Sequence, residues 1–121
     1  MKKILTIVEP ALYCNNIESI LTLSRKYKND IDIWVITNLC DAHSIRMLEK
    51  KRINSSNLYY AQNKQDKIQF CKETSCYHID DDINDVEIIK YEAKIPVKLI
   101  FDRRIITDYR IFLEKRLKKI L

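Results

Sequence analysis

Tyr77-His78-Ile79-Asp80-Asp81-Asp82-Ile83-Asn84-Asp85-Val86-Glu87 decides the fold. An apolar run rich in strand-forming residues stops at three adjacent aspartates, and Val86 and Ile89 then follow at helical spacing. The stretch predicts a strand, a turn and a helix capped by Asp82. Three neighbouring carboxylates repel one another, so their placement at a strand end calls for compensation. A helix amino terminus supplies some of it, and a hard cation such as Mg²⁺ would supply more.

Working outward, four further runs have strand character: Lys3–Val8, Ile31–Thr37, Asn57–Ala61 and Pro96–Phe101, with Cys76–Asp80 as the strand of the opening stretch. Their apolar residues are continuous rather than alternating, which predicts strands covered on both faces, as in a parallel sheet. Leu58-Tyr59-Tyr60-Ala61 is the weakest run and suits an edge. Helical patterns fill the intervals. Asn15 with Glu18 forms a capping box before Ile17, Ile20 and Leu21. Asp41 caps a second helix with Ile45 and Leu48 facing inward, Asn63 a third with Ile68 and Cys71, and Asp82 a fourth with Val86 and Ile89. Thr107 opens a last helix, residues 107–121. The expected fold is a three-layer Rossmann-like α/β domain with a mostly parallel five-stranded sheet and helices on both faces. No linker or repeat divides residues 1–121, so one domain with a core over residues 3–102 is expected.

Composition narrows the function. The 121 residues are 46% hydrophobic and 32% charged, an ordinary globular balance, and no apolar run approaches the ~20 residues that cross a bilayer. The expectation is a cytoplasmic protein without a transmembrane segment. Glycine is absent, which excludes the glycine-rich dinucleotide and P-loop phosphate cradles. Cys14, Cys40, Cys71 and Cys76 lack metal-ligand spacing and read as free thiols, with Cys14 and Cys40 a minor candidate redox pair. His43 and His78 have no partner at triad spacing and read as structural, and Trp34 reads as core.

In open α/β sheets ligands bind beyond the carboxyl ends of the strands. There the chain resembles the haloacid-dehalogenase superfamily, especially its small capless nucleotidase-like members, over roughly residues 3–102. Ile33-Trp34-Val35-Ile36-Thr37-Asn38 resembles the second motif, which implies that Thr37 and Asn38 bind a phosphoryl group. Lys67 in Asp66-Lys67-Ile68-Gln69-Phe70-Cys71 resembles the phosphate-neutralising lysine, with Lys64 as the fallback. Ile79-Asp80-Asp81 with Asn84-Asp85 resembles the acidic fourth motif, which implies that Asp81 and Asp85 hold Mg²⁺. Ala93-Lys94-Ile95-Pro96-Val97 is similar to the family's exit into strand five, with Lys94 where glycine is common.

The first motif departs from the family. Ile7-Val8-Glu9-Pro10-Ala11 stands where Asp-x-Asp-x-Thr is needed, which puts Ile7 at the nucleophile and Glu9 at the acid/base position. Isoleucine has no lone pair with which to attack phosphorus. The reading is therefore a phosphatase-like domain without its nucleophilic Asp, a non-catalytic binding or regulatory protein. The first alternative is a Mg²⁺-dependent phosphohydrolase acting on a nucleotide or polynucleotide end, with Glu9 as nucleophile. The second is a receiver-like signalling domain, although Tyr60-Ala61-Gln62-Asn63 lacks that family's aspartate and Asp102-Arg103 its lysine. A receiver would place strand three beside strand one; the haloacid-dehalogenase arrangement places strand four there.

Residues 103–121 hold seven Lys and Arg against two acids, which equals the chain's whole formal excess of +5. Arg110, Lys115, Arg116, Lys118 and Lys119 give the expected last helix a basic face, a candidate contact for nucleic acid. The other expected partners are a protein or a phosphorylated ligand.

Overall fold

The alternation of apolar strand and amphipathic helix is realised in a computed structural model that describes residues 2–14, 17–38 and 42–100. The strands are β1 (Lys3–Val8), β2 (Ile31–Thr37), β3 (Leu58–Tyr60), β4 (Ser75–Asp80) and β5 (Val97–Leu99). The helices are α1 (Ile17–Lys26), α2 (Ala42–Lys50), α3 (Lys64–Thr74) and α4 (Ile83–Ala93). β1 and β2 have the expected bounds. β3 and β5 are shorter than expected, and β4 starts one residue early. Asn15, Cys40, Asp41, Asp102 and the whole basic segment at 103–121 lie outside the described residues, so the caps, the thiol and the terminal helix expected there do too.

All strand pairings are parallel and the order is β3-β2-β1-β4-β5. β4 therefore lies beside β1, the neighbour required by the haloacid-dehalogenase resemblance. A receiver order, 2-1-3-4-5, would pair β3 with β1; here β3 pairs with β2 at the sheet edge.

Helices cover both faces of the sheet. On one face Leu5, Ile7, Val35 and Ile79 pack with Ile17, Ile20, Leu21 and Leu23 of α1 and with Leu48 of α2. On the other, Ile36 packs with Ile68 and Cys71 of α3 and with Ile89 of α4. This two-sided burial explains the unbroken apolar runs. Asn63 caps α3 by accepting from the Asp66 backbone N–H, and Asp82 caps α4 by accepting from those of Asn84 and Asp85. Both are the caps expected from the sequence.

Three details differ from expectation. In α2, Ser44 is buried and Ile45 is 39% exposed, because the helix turns its Ser44–Leu48 line to the sheet. Trp34 is half-buried on the outer part of the sheet, with its ring 6.0 Å from that of Phe70. Between β1 and α1 the chain forms a 3₁₀ turn, Glu9–Tyr13, with Pro10 in its first turn, where a missing N–H costs nothing.

The lack of glycine shows in the backbone. Arg52, just past α2, and Lys94, at the end of α4, adopt positive φ (61° and 55°), the left-handed conformation that glycine usually supplies after a helix.

Candidate functional site

The strands deliver their carboxyl ends to one rim of the sheet, and a cavity of about 380 Å³ opens there. Thr37 and Asn38 reach it from the end of β2, Lys64 and Lys67 from the first turns of α3, and Asp81 and Asp85 from the β4–α4 turn. Asp80 and Asp82 also line it. The sequence-predicted set Thr37, Asn38, Lys67, Asp81 and Asp85 thus converges on one pocket.

The end of β1 is arranged differently. Ile7 is fully buried in the apolar core, and the residues of this segment that line the cavity are Val8 and Pro10. Glu9 is also buried and is not part of the lining, but its carboxylate accepts a 2.5 Å hydrogen bond from the Thr37 hydroxyl. Glu9 therefore connects to the site through Thr37.

Behind the cavity lies a buried polar chain. β1 and β4 pair with Thr6 opposite His78, and both side chains are inaccessible to solvent. His78 Nδ1 lies 2.6 Å from Thr6 Oγ1, and Nε2 lies 2.8 Å from Asp80 Oδ2. With a carboxylate facing Nε2, that nitrogen carries the proton, and Nδ1 accepts from the Thr6 hydroxyl. Burial holds the His78 pKa below the usual value, which keeps the ring neutral. Asp80 Oδ2 also accepts from Lys67 Nζ at 3.1 Å, and Asp80 Oδ1 accepts from the Asp82 backbone N–H. Lys67 bonds Asp85 as well, whose other oxygen lies 2.9 Å from Lys64 Nζ. The path runs Thr6–His78–Asp80–Lys67–Asp85–Lys64, from the core to the surface.

The electrostatics follow from this chain. Burial alone would raise the Asp80 pKa, but the bond from His78 and the Lys67 charge outweigh it and hold the group ionised. Burial likewise opposes the charge on Lys67, and Asp80 and Asp85 together hold its pKa above the ordinary lysine value. Asp85 is pulled below the usual range by Lys67 and Lys64, against burial. Asp81 is pushed up, first by burial and then by the neighbouring Asp80 charge. As placed, Asp80 and Asp85 are neutralised by lysines instead of gathered around a cation position. Among the described residues no three His, Cys, Asp or Glu side chains group as a metal site would.

Other candidates lie elsewhere. Cys14, Cys71 and Cys76 are free thiols, and burial pushes Cys71 up to about 12, so it is not a nucleophile. His43 is exposed and pairs with Tyr13, 3.2 Å from its hydroxyl. Neither protein-family models, curated proteins nor solved structures give a match to this chain. Its likeness to the haloacid-dehalogenase superfamily therefore rests on motif order and strand order.

Proposed function

We propose that the chain is a haloacid-dehalogenase-like domain that binds a phosphorylated ligand at the carboxyl rim of its sheet without hydrolysing it. One observation carries the reading. Val8 and Pro10 are the β1-end residues facing the cavity, and neither has a group that can attack phosphorus or take a proton. The buried Ile7 gives no better nucleophile, and Glu9 is engaged by Thr37. The binding half of the site is retained: a hydroxyl (Thr37), an amide (Asn38) and two ammonium groups (Lys64, Lys67) surround a cavity large enough for a phosphate and part of its parent molecule. No step of this reading passes through a metal.

The lysines also limit affinity. Both are already ion-paired to Asp80 or Asp85, so an entering phosphate must compete with carboxylates for them. Weak binding, in a regulatory or sensing range, fits that competition better than tight substrate capture.

The test uses the full chain with p-nitrophenyl phosphate and Mg²⁺, and separately with nucleoside monophosphates in a thermal-shift titration. We expect no turnover above buffer, and a monophosphate-dependent rise in melting temperature that Lys67→Ala removes. Turnover abolished by Asp81→Asn or Glu9→Gln would establish the phosphohydrolase alternative and overturn this reading.

A further inference from the structure

The opposite rim of the sheet, where the strands begin, carries a second and differently charged cleft. It has a volume of about 150 Å³ and is lined by Lys2, Arg25, Lys28, Lys51 and Arg52, with Asp32 the single carboxylate among the described residues. Lys2 precedes β1, Arg25 ends α1, Lys28 lies in the α1–β2 turn, and Lys51 and Arg52 follow α2. Five cations from four separate segments thus meet at one place. By contrast, among the described residues the carboxyl-rim cavity is lined by four aspartates and two lysines.

Helix dipoles explain part of this pattern, since Arg25 stands in the last turn of α1 and basic groups are favoured there. They do not explain Lys2 or Lys28, which lie outside the helices. Lys2, Lys28 and Arg52 have no ion-pair partner among the described residues. The Asp32 carboxylate in the cleft is occupied, as its Oδ1 accepts from Asn57 Nδ2 at 2.8 Å. Arg25 is held in place: its Nη2 donates to the Lys51 carbonyl at 3.2 Å, which spans α1 and the α2 exit and leaves its other N–H groups available. Lys51 is fixed by Glu18 at 2.8 Å. Arg52 takes its position through the left-handed turn at φ 61°. Unpaired like charges converging on a concave surface raise each other's energy, and an anion relieves it.

We infer that this amino-terminal-rim cleft is a binding site for phosphate groups, carried by the backbone of a single-stranded nucleic acid or by a free phosphoanion. Two guanidinium groups suit the bidentate recognition of phosphate oxygens, and the cleft has room for one phosphate with the strand continuing past exposed Lys2 and Lys28. The site is separate from the carboxyl-rim pocket, so it stands or falls independently of the function proposed there.

Anisotropy of a labelled single-stranded DNA oligonucleotide titrated with the full chain tests the inference. Competition by inorganic pyrophosphate distinguishes the backbone from a free phosphoanion. We expect Arg25→Glu/Arg52→Glu to weaken binding at least tenfold and to reduce the log–log salt slope by about 1.4, the value for two lost single-strand contacts. Lys90→Ala, at an exposed lysine of α4 that lines neither cavity, should leave the affinity unchanged. The milder Lys2→Ala/Lys28→Ala variant should weaken binding in the same direction, with circular dichroism confirming that each variant is folded. If only pyrophosphate binding depends on Arg25 and Arg52, the site stands and its ligand is a free phosphoanion. If neither ligand responds to these substitutions, or the loss follows Lys118→Ala/Lys119→Ala instead, the inference is overturned.

Discussion

Lys67 Nζ lies 3.1 Å from Asp80 Oδ2, joining the first turns of α3 to the end of β4 at a point where the Asp80 side chain is only 1% exposed. Asp80 has lost nearly all contact with water, so its charge depends on the two side chains that face it. Removing one partner of a buried pair costs about 3 to 5 kcal/mol when the site is sealed. The cavity admits water near Lys67, and His78 still donates to Asp80, so Lys67→Met is expected to cost roughly 2 to 3 kcal/mol. Urea denaturation measures the loss. Lys67→Met/Asp80→Asn should recover part of it, because no buried charge is then left alone. Additive losses would mean that the two residues act independently.

His78 should make the domain acid-sensitive. Its folded pKa is depressed by burial, so folded protein keeps the ring neutral while unfolded chain takes up a proton near pH 6.5. Stability attributable to His78 is therefore complete above the unfolded pKa and falls as pH drops below it. Asp80 adds a second loss in the same direction at lower pH, because its folded pKa lies below the ordinary aspartate value. The urea midpoint should decline between about pH 6.5 and 5. His78→Gln, which cannot titrate, should have a lower midpoint at pH 7 and a flatter profile over that interval. An unchanged slope would assign the acid sensitivity to another group.

Much of this was legible in the chain because it is local. Asn63 and Asp82 announced their helices, and strand ends brought Thr37, Lys67, Asp81 and Asp85 to one rim. Ile45 misled, because hydrophobicity favoured it over Ser44 and only the seating of α2 on the sheet decides between them. The buried polar chain was missed for a different reason. Its first link, Thr6 to His78, depends on which strands are neighbours and in what register, neither of which is written locally. A signal did exist: His78 and Asp80, two apart in a strand, must share one face. The 3₁₀ turn after β1 hid the orientation of Glu9, so the register that placed Ile7 at the nucleophile gave no sign that Val8 and Pro10 face the cavity.

Thr37 is bound to Glu9 before any ligand arrives. Its hydroxyl donates to the carboxylate of Glu9, a residue only 7% exposed, and Thr37→Val removes that donor while nearly preserving shape. A buried acceptor that loses a partner costs about 1 to 3 kcal/mol. We expect a loss in that range at pH 7, reduced in Thr37→Ser, which keeps the hydroxyl. Equal stability of Thr37→Val and wild type would show that the bond contributes nothing net.

Lys94 tests the cost of a fold without glycine. A side chain in the left-handed region costs roughly 1 to 2 kcal/mol relative to a residue without Cβ. Lys94→Gly is expected to raise the unfolding free energy, offset in part by the greater entropy of glycine in the unfolded chain, for a net gain of about 0.5 to 1 kcal/mol. A loss on substitution would mean that the Lys94 side chain contributes contacts worth more than the backbone conformation costs.

Lys64 and Lys67 stand where a cation would otherwise be needed. They face Asp85 and Asp80, and with both removed the remaining Asp80, Asp81 and Asp85 carboxylates would repel one another across the cavity. Lys64→Ala/Lys67→Ala should therefore be less stable than wild type and respond more to Mg²⁺, which would offset the uncompensated carboxylate charge even though the three side chains do not group as a metal site among the described residues. At a concentration ten times its dissociation constant, a ligand bound only by folded protein adds about 1.4 kcal/mol. Thermal unfolding with and without Mg²⁺ reads the difference: the double variant should gain several degrees and wild type distinctly less. Equal responses would show that the two ammonium groups do not substitute for a metal, and that the acidic strand end is compensated elsewhere.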